Sequence, residues 1–131
     1  MPNRTHIVYL DDDRDDLEVM SMTFAEYAEY ELTTFTLPSL FWSFIKANVD
    51  QICLVILDFN MPLKTGLEVF QDMQADLALS AIPVVVYTTT VSPVHADAIS
   101  SLGGVAMQKP TSLDEVRRAS RVIIRFCRGN D

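Results

Sequence analysis

The sequence predicts an α/β fold, a single doubly wound parallel sheet of five strands with helices on both faces, and three observations predict it. Short apolar runs alternate along the chain with stripes of apolar residues at helical spacing. The runs CLVIL at 53–57 and VVVY at 84–87 are uninterrupted, as expected of strands covered on both faces. The 131 residues are 49% hydrophobic and 21% charged, which suits one domain with a buried core.

His6 to Leu10 forms the first strand, closed by Asp11. Leu17, Met20, Phe24 and Tyr27 then follow the stripe of an amphipathic helix. Glu31 to Thr36, rich in Thr and Phe, reads as a more polar strand nearer an edge. Pro38 and Ser39 open a helix with Leu40, Phe41, Phe44 and Ile45 on one side. Cys53 to Leu57 is the third strand, and Gly66 precedes a helix bearing Leu67, Phe70, Met73 and Leu77. Pro83 starts the fourth strand, which runs into Thr88, Thr89 and Thr90. Ser92 to Leu102 is a weaker helix ended by Gly103 and Gly104, and Val105 to Met107 is a short fifth strand. Ser112 and Glu115 have capping-box spacing at the head of a last helix carrying Val116, Ala119, Ile123 and Phe126. No repeat or linker divides the chain, so residues 1–131 are read as one domain.

Charge and composition exclude several classes. The net charge of −8 argues against nucleic acid as a direct partner, because that affinity rests on Lys and Arg at phosphates. The basic residues between Lys109 and Arg128 fall on the last helix and read as a solvated face. The longest uncharged stretch, Leu77 to Ala96, is broken by Pro83 and Pro93, and the N-terminus lacks the apolar core of a signal peptide. Cys53 and Cys127 have neither zinc-site spacing nor the number for a disulfide framework. They read as reduced thiols, and the expected location is the cytoplasm, without membrane insertion.

Polar residues of particular types stand where the apolar runs stop. Asp11 and Asp12 end the first strand, Asp58 the third and Thr88 the fourth, and Lys109 follows the fifth. In open α/β sheets ligands sit outside the carboxyl ends of the strands, so these side chains converge on one rim. At about 4 Å and an effective dielectric of about 20, each pair of like charges costs on the order of 4 kcal/mol. Three clustered carboxylates therefore call for a cation, a protonated partner or both, and Mg2+ or another small divalent ion matches an oxygen donor set. Lys109 adds a positive charge and Thr88 a hydroxyl. A carboxylate in such company is equipped to attack phosphorus, since phosphoryl transfer is chiefly positioning and charge stabilisation. Asp58 would then carry an aspartyl phosphate.

With IVYLDDD at the first strand, LVILDFNMPLKTG around Asp58, IPVVVYT ending at Thr88, and Lys109-Pro110, the sequence resembles the receiver domain of two-component response regulators over essentially its whole length. The interval from Asp11 to Asp58 suits one β-α-β-α-β passage. The resemblance implies a flavodoxin-like (βα)5 fold with strand order 2-1-3-4-5. It implies that Asp58 is the phosphoacceptor, supplied by a histidine kinase or a histidine phosphotransfer protein. Asp11, Asp12, Asp58 and the Asn60 backbone carbonyl are the implied metal ligands. Thr88 and Lys109 are the implied switch hydroxyl and phosphoryl-binding lysine, and the Lys109-Pro110 bond is expected in the cis form. The chain is expected to be a signalling phosphoacceptor rather than an enzyme, with only self-phosphorylation and self-dephosphorylation chemistry. It would act alone in a chemotaxis- or phosphorelay-like system, through an unidentified protein target, with homodimerisation left open.

Other residues read as structural. Asp13, Asp15 and Asp16 suit a helix first turn rather than a metal. Met61, Pro62 and Gly66 shape a loop, His6 and His95 lack ligand partners, and Trp42 reads as core packing. Two positions depart from the family pattern. Ala106 stands where receivers commonly carry Tyr or Phe, and the β-branched Thr89 where a small residue is usual. Two alternative functions remain, a phosphorylation-independent binding module and a Mg2+-dependent phosphohydrolase with an aspartyl nucleophile. The intact Asp11, Asp12, Asp58, Thr88 and Lys109 set argues against the first, although Ala106 favours it weakly. Asn60, where such hydrolases carry a second acid, argues against the other.

Overall fold

The computed structural model describes residues 4–90 and 92–128. Strands β1 (His6–Leu10), β2 (Glu31–Phe35), β3 (Ile52–Asp58), β4 (Val84–Thr88) and β5 (Val105–Gln108) form one parallel sheet in the order β2-β1-β3-β4-β5. Helices α1 (Arg14–Phe24), α2 (Pro38–Ala47), α3 (Gly66–Gln74), α4 (Pro93–Ser101) and α5 (Leu113–Arg128) connect or follow them. The strand order turns back between β1 and β3, which opens a crevice at their carboxyl ends.

Alternation along the central strands divides the core into two layers. Val8, Leu10, Val55, Leu57 and Val86 face α2, α3 and α4, where they meet Phe41, Ile45, Phe70, Met73 and Ile99. Ile7, Tyr9, Leu54, Ile56, Val85 and Tyr87 face α1 and α5, where they meet Leu17, Met20, Val116 and Ile123. β1, β3 and β4 are buried throughout, whereas β2 and β5 are part-exposed edges.

Several elements end earlier than their apolar stripes. α3 stops at Gln74, and Leu77 lies fully in solvent. Leu40 is likewise exposed, while Phe41 and Ile45 supply the buried side of α2. α1 ends at Phe24, and Tyr27 packs on Phe24 from the following turn. The Ser112–Glu115 box is only half formed. The Glu115 N–H donates to Ser112 Oγ, but the Glu115 carboxylate turns back to the Thr111 N–H and hydroxyl. A complete capping box occurs instead at Thr65 and Glu68, at the head of α3.

The cysteines correct the sequence reading. Cys53 and Cys127 are not free thiols but form a disulfide, with Cα atoms 4.9 Å apart, tying β3 to the end of α5. The reason is a register shift. His6 pairs with Ile52 while Ile7 pairs with Leu54, so Cys53 is the extra residue of a β-bulge. Strict alternation would point Cys53 away from α5. The bulge puts Cys53 and Leu54 in the same layer, facing Cys127. Reduced cysteines therefore no longer support a cytoplasmic location. Among the described residues no helix is long and apolar enough to cross a membrane.

Candidate functional site

Backbone pairing at the strand ends sets the rim. The Asp11 N–H donates to the Phe35 carbonyl, the Phe59 N–H to that of Tyr87, and the Lys109 N–H to that of Thr88. Together with the pairing of Leu10 with Leu57 across β1 and β3, these bonds bring the ends of β1, β3, β4 and β5 to one level. The loop after β3 folds back tightly, for a Cβ on Gly66 would lie 2.5 Å from the Asp58 carbonyl oxygen. Only glycine permits that approach. Met61, in the same loop, is buried and seals it against the core.

Asp11, Asp12 and Asp58 each bring a carboxylate oxygen within 4.8 Å of the others. Asp11 and Asp58 are buried and Asp12 is exposed. The Lys109 ammonium lies 2.8 Å from Asp11 Oδ2 and 3.4 Å from Asp58 Oδ1. Thr88 is buried beside them, and among the described residues neither its hydroxyl nor Asp58 Oδ1 has a hydrogen-bond partner. Unpartnered buried oxygens are costly, and two of them side by side at the rim are what a bound ligand or a reacting group would satisfy. Burial, then the charge of Asp11, raises the Asp58 pKa to about 7, against the lowering influence of Lys109. Burial alone would lower the Lys109 pKa, but hydrogen bonds to Asp11 and Asp16 and the neighbouring negative charges raise it overall.

Asn60 is exposed at the site's outer edge, with its side-chain amide donating to Thr89 Oγ at 3.1 Å. The Thr89 carbonyl in turn accepts from the Gln108 amide at 2.5 Å. Thr89 thus joins the loops after β3 and β4 to the end of β5. Ala106 is part-buried in β5 opposite Val86.

One expectation at the rim is corrected. No peptide bond among the described residues is cis, so Lys109-Pro110 is trans. Trans is the ordinary preference, and the long lysine side chain reaches Asp11 and Asp58 from that backbone.

Two contacts were not legible in the sequence. The Tyr9 hydroxyl donates to Asp11 Oδ2 at 2.7 Å from within the buried strand. Asp16, assigned to the helix dipole, reaches Lys109 Nζ at 2.7 Å. The other acids behave as expected, with Asp13 capping α1 and Asp15 exposed in its first turn. His6 bonds the Thr33 hydroxyl, His95 packs on Phe59, and Trp42 is half-buried against the core.

A five-stranded 2-1-3-4-5 sheet of this kind is the fold that solved response regulator receiver domains share with this chain. Among curated proteins the chain is similar to response regulator SaeR of Staphylococcus epidermidis, with 29% identity over 133 residues, or 96% of this chain and 53% of SaeR. The chain thus spans about half the length of the curated relatives it matches. No protein-family model matches it. Among solved structures, the phosphorylated cyanobacterial phytochrome response regulator RcpA superposes with TM-score 0.82 at 22% identity, covering 98% of this chain and 96% of RcpA. The Mn2+-bound form of response regulator Rcp1 gives 0.77 at 22%, covering 93% of each chain. The CheY of a CheX–CheY–BeF3–Mg complex from Borrelia burgdorferi gives 0.76 at 14%, covering 92% and 89%.

Proposed function

We propose that the chain is a response regulator receiver domain, spanning residues 1–131, that accepts a phosphoryl group on Asp58 and signals by phosphorylation-dependent protein binding. The observation that carries this reading is the buried Asp58 carboxylate, set between Asp11, Lys109 and the Thr88 hydroxyl, with neither its Oδ1 nor that hydroxyl hydrogen-bonded among the described residues. An Asp58 oxygen forms the new bond to phosphorus as the donor's bond to phosphorus breaks, and the donor leaves with that electron pair. Lys109 and Thr88 each offer an N–H or O–H to a phosphoryl oxygen beside the buried Asp58.

Asp11, Asp12, Asp58 and the Asn60 carbonyl are the groups that would hold a divalent cation. The all-oxygen donor set fits Mg2+ or a similar hard ion, as do the metal-bound states of Rcp1 and the Borrelia CheY. When bound, the ion neutralises acidic charge and the charge on the phosphoryl oxygens. A histidine kinase or a histidine phosphotransfer protein is the proposed donor. A cytoplasmic location is proposed from that partnership alone.

Incubation with Mg2+ and acetyl phosphate, followed by mass spectrometric mapping of acid-labile phosphate, tests the reading. Label confined to the peptide containing Asp58 supports it. Absence of label, or label elsewhere, overturns it.

A further inference from the structure

We infer that Asp16 is a positioning residue, acting through Lys109 to hold the ammonium group back from the phosphoryl site and so restrain phosphorylation. The inference rests on the proposed role of Asp58 and deepens it.

Lys109 meets three carboxylates, and its distances to them are unequal. Asp16 Oδ2 is nearest at 2.7 Å, Asp11 Oδ2 follows at 2.8 Å, and Asp58 Oδ1 stands off at 3.4 Å. The last contact leaves Asp58 Oδ1 without a hydrogen bond. A lysine ammonium carries three N–H donors on a flexible stem, so its resting position follows its strongest partners.

Those two partners differ in kind. Asp11 is buried, and the Tyr9 hydroxyl and the Asp13 N–H fix its oxygens. The Asp16 side chain is about one third exposed on the open side of α1, with Lys109 as its salt-bridge partner. Water can replace Lys109 at Asp16 but not at Asp11. Asp16 is therefore the partner that Lys109 gives up when a phosphoryl dianion arrives on Asp58. Until then it draws Lys109 away from Asp58 and adds negative charge beside an anionic reactant. Both effects slow attack by Asp58, and both vanish when Asp16 is neutralised.

Asp15 provides the control. It lies in the same first turn of α1 but is exposed, its backbone N–H donates to Asp13 Oδ1, and among the described residues its carboxylate makes no ion pair. Asp15→Asn removes the same charge from the same helix end without touching Lys109.

The test compares wild type, Asp16→Asn, Asp15→Asn and Asp16→Glu for the rate of Asp58 labelling by acetyl phosphate with saturating Mg2+. Losing a partly exposed ion pair corresponds to roughly fivefold faster labelling in Asp16→Asn. Asp15→Asn should stay near the wild-type rate, and Asp16→Glu should return toward it. The Lys109 side-chain 15N resonance, recorded without phosphodonor, should move in Asp16→Asn but not in Asp15→Asn. Equal acceleration in both Asn variants, or an unmoved Lys109 resonance, overturns the positioning role while leaving Asp58 as acceptor. A wild-type protein that takes no label overturns both.

Discussion

The Tyr9 hydroxyl donates to Asp11 Oδ2 at 2.7 Å, so a residue of the buried sheet face supports an acid of the rim. Burial and the Asp11 charge raise the Tyr9 pKa, which keeps the phenol protonated and donating. Tyr9→Phe retains the ring contact with Tyr87 and deletes only that donor. Because Asp11 stays buried, the loss should be about 2 kcal/mol, as for a hydrogen bond to a charged group. Denaturant unfolding of the two proteins at neutral pH checks it. An unchanged midpoint would mean that Lys109 and the Asp13 N–H satisfy Asp11 without help.

The raised Asp58 pKa gives stability a definite pH slope. The unfolded chain loses this proton near the ordinary Asp value of about 4, whereas the folded protein holds it to about 7. Between those values the native state binds more protons, so this group's contribution to stability falls as pH rises and levels off above about pH 7. Asp58→Asn cannot ionise and should remove that slope. Melting temperatures at intervals across the window should show the variant gaining on wild type as pH rises. Parallel profiles would contradict the shift. Mg2+ competes with the same proton, so its stabilising effect on wild type should grow with pH across this range.

The Cys53–Cys127 bond closes a loop with a sequence separation of 74, and constraint of the unfolded chain on that scale is worth about 4 kcal/mol. Reduction should lower the unfolding midpoint, and Cys127→Ser should match the reduced protein. Alkylation after denaturation without reductant should leave both cysteines unmodified. Modification of both under those conditions would show that the bond is absent.

How much of this was legible in the sequence depends on what each residue marks. Asp11, Asp58, Thr88 and Lys109 each end or follow an apolar run, so strand period and strand end together disclosed the rim. Cys53 did not follow that logic, because a bulge of one residue reverses which face a side chain takes. Tyr9 was hidden by its run, in which a tyrosine reads as one more apolar residue. Asp16 was hidden by a competing cause, since an acid in a helix first turn is already explained by the dipole. Only the tertiary approach of Lys109 gives it a second partner.

Transmission of a signal should follow the bonds around Thr89. Ala106 has no side-chain rotor to fill or vacate a pocket, whereas Thr89 is tied to both Asn60 and Gln108. Binding of a beryllofluoride phosphoryl mimic should therefore move amide resonances chiefly in residues 88–102, with little change at 104–108. The reverse distribution would place the moving element in β5.

The central claim, that Asp58 accepts phosphate with help from a divalent ion, is tested most directly by intact mass after incubation with acetyl phosphate. Wild type with Mg2+ should gain the mass of a single phosphoryl group, and the gain should vanish with chelator and in Asp58→Asn. Equal labelling of Asp58→Asn, or of wild type in chelator, would contradict the account.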